Sequence, residues 1–168
     1  MGKKESRGSI HKHARLIMSD ICPCISGKSY KTCCEPLHLG FVHASSAEQL
    51  MSSRYSAFVL GKISYLIDTL HPNKHQADDE QTLAQTIELT QWLGLKVIKH
   101  KQSGEKATVE FIAFYHQDPI GQLHECSNFI KQEGRWYYVD GDILPAVKLA
   151  RNEFCFCGSG KKIKKCRH

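Results

Sequence analysis

The same cysteine spacing occurs twice, once near each end of the chain. Cys22-Pro23-Cys24 is followed by eight residues and then Cys33-Cys34, and Cys155-Phe156-Cys157 is followed by eight residues and then Cys166-Arg167-His168. The interiors correspond as well, since Ile25-Ser26-Gly27-Lys28 aligns with Gly158-Ser159-Gly160-Lys161. Eight cysteines in a secreted chain would suggest disulfides. In a reducing cytosol the same count points to metal or redox chemistry. Met1 to Asp20 is polar and basic, without the apolar run of a secretory leader. No stretch approaches the ~18–20 apolar residues needed to cross a bilayer. The expectation is a cytoplasmic protein whose paired cysteines bind metal.

The spacing suits zinc, which takes four tetrahedral thiolate or imidazole ligands. A C-x-C pair supplies two thiolates from one tight turn, and the excursion brings the chain back with the others. Glycines in the excursion give the freedom that such a turn needs. The expected sets are Cys22, Cys24, Cys33 and Cys34 at one end, and Cys155, Cys157, Cys166 and His168 at the other. Four protein ligands leave no open position, so both sites read as structural zinc. Buried free thiols or a redox C-x-C pair are the alternatives. Cys126 stands alone and reads as a small strand residue.

Charge follows the same division. The net charge is +6, but residues 1–34 and 151–168 each carry +5 and residues 35–150 carry −4. Basic ends on an acidic body suggest that the ends meet an anionic surface. Lysines beside thiolate-bound zinc would also offset the negative charge of the clusters, without any nucleic acid.

Between the clusters, Ser45-Ser46-Ala47-Glu48 is a capping-box pattern, with Leu50, Met51, Tyr55, Phe58 and Val59 following at helical spacing as far as Gly61. A second short helix is expected over 62–70. A third runs through Leu83 and Ile87 to Trp92, with Gly94 as its C-terminal glycine. The period then becomes two, giving strands over 95–100, 107–116, 122–132 and 135–140, with Glu133-Gly134 as a hairpin turn. Helices followed by an antiparallel meander make an α+β domain. The expected boundaries are a basic arm over 1–19, a knuckle over 20–36, the α+β domain over 37–150 and a second knuckle over 151–168.

The cysteine clusters resemble the SEC-C motif, the zinc-binding tail of the secretion ATPase SecA. The whole arrangement resembles the bacterial YchJ family, through Gln49-Leu50-Met51-Ser52-Ser53-Arg54-Tyr55, His71-Pro72, Trp92-Leu93-Gly94-Leu95 and Trp136-Tyr137-Tyr138-Val139-Asp140-Gly141. The resemblance implies a nuclear-transport-factor-2-like (cystatin-like) roll, with helices on a curved antiparallel sheet. It also implies a bacterial cytoplasmic protein. In SecA the similar motif binds zinc and contacts the chaperone SecB and the ribosome. Two positions depart from the motif. Ile25 stands where a glycine usually follows the C-x-C pair. Arg167 separates Cys166 from the last ligand, which leaves His168, the terminal carboxylate or a water for that place.

Three functions follow from these features. The first is a non-catalytic zinc-binding adaptor, docking on a protein or ribosomal partner through its knuckles. The second is a small-molecule binder or enzyme using a pocket of the middle domain, lined by Arg54, Tyr55, His71, Trp92 and Trp136, although Tyr55, Trp92 and Trp136 read first as core and His71, before Pro72, as a helix-end cap. Asp68, His116, Glu125 and Asp140 complete the titratable candidates there, but no nucleophile–base pair stands out. The third is nucleic-acid binding through the basic ends.

Overall fold

The computed structural model describes residues 20–168; the expected basic arm, 1–19, lies outside the described residues. Four α-helices precede four strands: α1 (Glu35–His38), α2 (Ala47–Leu60), α3 (Ile63–Asp68), α4 (Asp79–Leu89), β1 (Trp92–Ser103), β2 (Lys106–Tyr115), β3 (Gly121–Gln132) and β4 (Arg135–Ile143). The strands form one antiparallel meander in the order β1-β2-β3-β4. The fold is α+β, with the helices packed on one face of the sheet, as the alternating pattern and the resemblance both lead one to expect.

The start of α2 lies one residue later than the capping-box reading. Ser46, not Ser45, is the N-cap, and its Oγ accepts from Gln49 N–H at 3.1 Å. Gln49, not Glu48, returns the bond, its Oε1 accepting from Ser45 N–H at 2.7 Å. Gly61 ends the helix with φ +70°, a left-handed conformation that costs a residue without Cβ little.

The larger departure concerns α4. It stops at Leu89, and Gly94 is not its cap; Trp92 instead opens β1, and Gly94 pairs with Phe114. A register shift between Trp92 and Gly94 interrupts the period-two pattern, so that Trp92 and Leu95 both pack on the main core, and glycine is needed there for another reason. A Cβ on Gly94 would overlap the carbonyl of Phe156, because the second knuckle lies directly on this strand.

The two faces of the sheet are thus used differently. Leu95, Val109, Phe111, Ala113, Phe129 and Trp136 pack with Leu50, Met51, Tyr55 and Leu66 in the main core. On the other face Ile112 and Phe114 are covered by Cys155 and Phe156. Phe156 stacks on Phe114 with centroids 3.9 Å apart and planes at 13°. Gly94→Val is expected to lift the second knuckle from the sheet. Hydrogen exchange should then show lost protection over 151–168 with the β2–β3 amides still protected.

Candidate metal centres and cavity

The two knuckles have the same backbone. Cys22 N–H donates to Lys28 C=O and Cys155 N–H to Lys161 C=O, both at 2.7 Å. Ile25 N–H and Gly158 N–H each return to the carbonyl of the first cysteine, at 3.2 and 3.3 Å. The side chains of Ser26 and Ser159 each accept from the lysine N–H two residues on, at 3.3 Å. A single 3-10 turn, Tyr30–Thr32 or Ile163–Lys165, then delivers the third cysteine.

These turns bring together the expected donors. The sulfurs of Cys22, Cys24, Cys33 and Cys34 lie within 4.8 Å of one another, as do those of Cys155, Cys157 and Cys166 with a nitrogen of His168. Cys24 and Cys33 sulfurs are 3.5 Å apart, Cys33 and Cys34 3.9 Å, and Cys157 and Cys166 3.5 Å. A zinc–sulfur bond of ~2.3 Å gives a tetrahedral edge of ~3.8 Å, whereas a disulfide needs ~2.05 Å. Spacing and donor chemistry therefore fit one tetrahedral ion in each set, and all of these cysteines are free thiols. Within the first set Cys24 pushes the Cys22 thiol down, and Cys22 in turn holds Cys24 up at about 11. The His168 ring meets the second set: its Nε2 is 3.0 Å from Cys155 Sγ, and it stacks on Phe156 at 4.9 Å.

The knuckles also touch each other. Ile25 has φ +65°, a conformation that β-branched residues rarely take, at the place where Gly158 has φ +75°. Its side chain reaches across to the other turn, where a Cβ on Gly158 would lie 3.1 Å from Ile25 Cγ2. Ile25 also packs against the main core, and Lys96 of β1 pairs with Glu153 at 3.2 Å beside it. The first knuckle is clamped to α2 by a histidine absent from the sequence-based candidates. His38 Nε2–H donates to Ser53 C=O and its Nδ1 accepts from Tyr30 O–H, each at 2.8 Å. Burial holds His38 below its ordinary pKa, in keeping with this neutral arrangement. Only its spacing, four residues after Cys34, could have drawn notice.

A cavity of about 310 Å³ lies between α2, α4 and the inner sheet face. Arg54, Tyr55 and Trp92 line it, together with Glu125 and Tyr138. His71 and Trp136 do not. His71 accepts from Asn73 N–H at 3.3 Å, capping a short turn, and its other ring nitrogen meets Gln132 at 3.0 Å. Trp136 is buried core, 1% exposed. Asp68 faces solvent beside Arg135, His116 is exposed, and Asp140 pairs with Lys74 at 3.0 Å on the surface. The titratable candidates other than Arg54, Tyr55 and Glu125 are therefore dispersed.

Comparison with known proteins agrees with this architecture. Residues 46–141 match the family described as "YchJ, middle NTF2-like domain", and residues 18–36 match the SEC-C motif. The chain belongs to the YchJ family. A UPF0225 protein of Geobacter sulfurreducens is 45% identical over 160 residues, spanning 89% of this chain and 98% of the relative. The solution structure of a SEC-C motif containing protein from Rhodopseudomonas palustris is similar with a TM-score of 0.69 and 36% identity, over 74% of this chain and 98% of that one. The crystal structure of a SEC-C motif containing protein from Psychrobacter arcticus gives 0.65 and 32%, over 90% and 97%.

Two outcomes follow for this YchJ-family chain. Gly158→Ala is expected to cost about 1–2 kcal/mol from its left-handed φ. Ile25→Gly in the same chain should recover the steric part, read as a coupling energy in a double-mutant cycle by chemical denaturation. The second concerns pH. Because burial lowers the His38 pKa, its share of stability is present above the unfolded value of about 6.5 and falls away below it. Denaturation midpoints at neutral and mildly acidic pH should therefore differ less in His38→Gln than in the parent.

Proposed function

We propose that this protein is a non-catalytic, zinc-binding adaptor whose two knuckles act as one docking surface for a protein or ribosomal partner. The observation that carries the reading is their adjacency: two four-donor sets stand side by side, touching through Ile25 and Gly158. A closed set leaves no position for substrate, so each metal would fix the shape of its turn. What that shape presents is the same twice over. Ile21 and Phe154, the residues just before each first cysteine, are 59% and 75% exposed. Lys28 and Lys31 flank the first, and Lys161, Lys162, Lys164 and Lys165 the second, all exposed. An apolar anchor ringed by lysines suits a partner with an anionic surface. Among the described residues no helix is long and apolar enough to cross a membrane, and a cytoplasmic setting would keep the thiols reduced.

Purified protein is expected to carry two zinc ions per chain, falling to one in Cys24→Ser/Cys33→Ser. Zinc well under one per chain, with every thiol free, would sink the reading. The immobilised full chain should retain a partner from bacterial lysate, and should release it after chelation or in Phe154→Ser/Lys161→Glu. Equal retention by the chelated protein and the variant would count against it, and recovery of nucleic acid alone would favour the third function instead.

A further inference from the structure

The cavity beneath α2 is independent of both cysteine sets, and its polar groups are unevenly satisfied. On the acceptor side, Glu125 Oε1 already receives Ser127 O–H at 2.6 Å and Tyr138 O–H at 3.1 Å. Asp79, at the rim, accepts from Gln76 N–H at 2.8 Å. The carboxylate of Glu125 is seated by Gly141, where a Cβ would overlap it. Donors are less well served. Arg54 uses Nη1 alone, donating to Leu66 C=O at 2.7 Å and to Thr69 Oγ1 at 2.6 Å. Its guanidinium lies 4.8 Å over the Tyr138 ring and, among the described residues, forms no ion pair. Burial drags its pKa down to about 10, so the surrounding protein under-compensates its charge. Trp92 lines the same cavity, and its indole Nε1 is buried without an acceptor. A half-buried guanidinium with unused donors thus faces a largely apolar cavity, whose wall also carries an indole N–H without an acceptor.

An acceptor-rich ligand would relieve it. The guanidinium presents a planar fork that matches a carboxylate with two parallel bonds. The walls are aromatic, with Tyr55, Phe58, Trp92, Phe111 and Phe129 all lining the cavity. Its volume, about 310 Å³, is near the small end of the ~300–1,000 Å³ usual for small-molecule sites. We propose that this cavity binds a small aromatic carboxylic acid, its carboxylate on Arg54 and its ring among the aromatic walls.

The full-length, metal-loaded chain offers a direct readout, because its two tryptophans give two indole N–H resonances. Titration with benzoate, phenylacetate and 3-phenylpropionate should shift the Trp92 signal, assigned through Trp92→Phe, and leave that of Trp136 in place. The best acid is expected to bind at least about tenfold more tightly than its isosteric amide. Arg54→Met should abolish that difference. Because Nη1 of Arg54 also holds α3, Arg54→Lys is the second variant; it keeps a charge, loses the fork and should weaken binding in a folded protein. Glu125→Gln should leave acid binding intact. The proposal is overturned if none of the three acids moves the Trp92 signal at millimolar concentration. It is equally overturned if the acid binds no better than the amide, if folded Arg54→Lys binds as tightly as the parent, or if 3-phenylpropylamine binds better than the acids.

Discussion

Neither knuckle buries an apolar core of its own. The buried residues of the first are Cys22, Cys24 and Cys34 themselves, and those of the second are Cys155 and Phe156, which pack on the sheet rather than on their own turn. A segment this short cannot gain enough from burial to offset the entropy of ordering it. It must be closed by cross-linking its donors or held by a larger surface. The structure supplies the surface twice: His38 fixes the first knuckle to α2, and the Phe114–Phe156 stack fixes the second to β2. Everything else about the ends follows from this dependence, including the glycine at 94 and the contact between the two turns.

The arrangement explains why the roll carries its two faces as it does. The inner face holds helices and encloses a cavity, as sheets of this curvature do. The outer face would otherwise expose Ile112 and Phe114, an apolar patch on β2 that invites association. The second knuckle covers it. One short segment thus supplies a donor set, hides an apolar patch and stands beside its counterpart from the other end of the chain.

Sequence reasoning reached the donor sets, the meander and the order of elements because those features are local. Cysteine spacing, period-two alternation and capping chemistry all act within about ten residues. What it misread was long-range. Gly94 after a helical run looks like a C-cap, and only the carbonyl of Phe156, sixty-two residues later, gives its real reason. His38 carries no motif, and its role depends on how α1 meets α2.

Ile25 is the position where these levels meet. Locally it is a poor choice, because a β-branched residue at φ +65° carries strain of roughly 1–3 kcal/mol that glycine would avoid. Strain of that size persists only where the surroundings over-determine the conformation. Here the turn is closed by its neighbouring cysteines, and the side chain fills the space between the main core, Leu95 and Gly158. The matching turn keeps its glycine, where a Cβ would lie 3.1 Å from Ile25 Cγ2 and crowd it. The repeat is therefore complementary: one copy carries the side chain and the other the space for it. Two knuckles that were merely alike could sit anywhere on the fold, whereas two that differ at this one matched position fit each other in a single way.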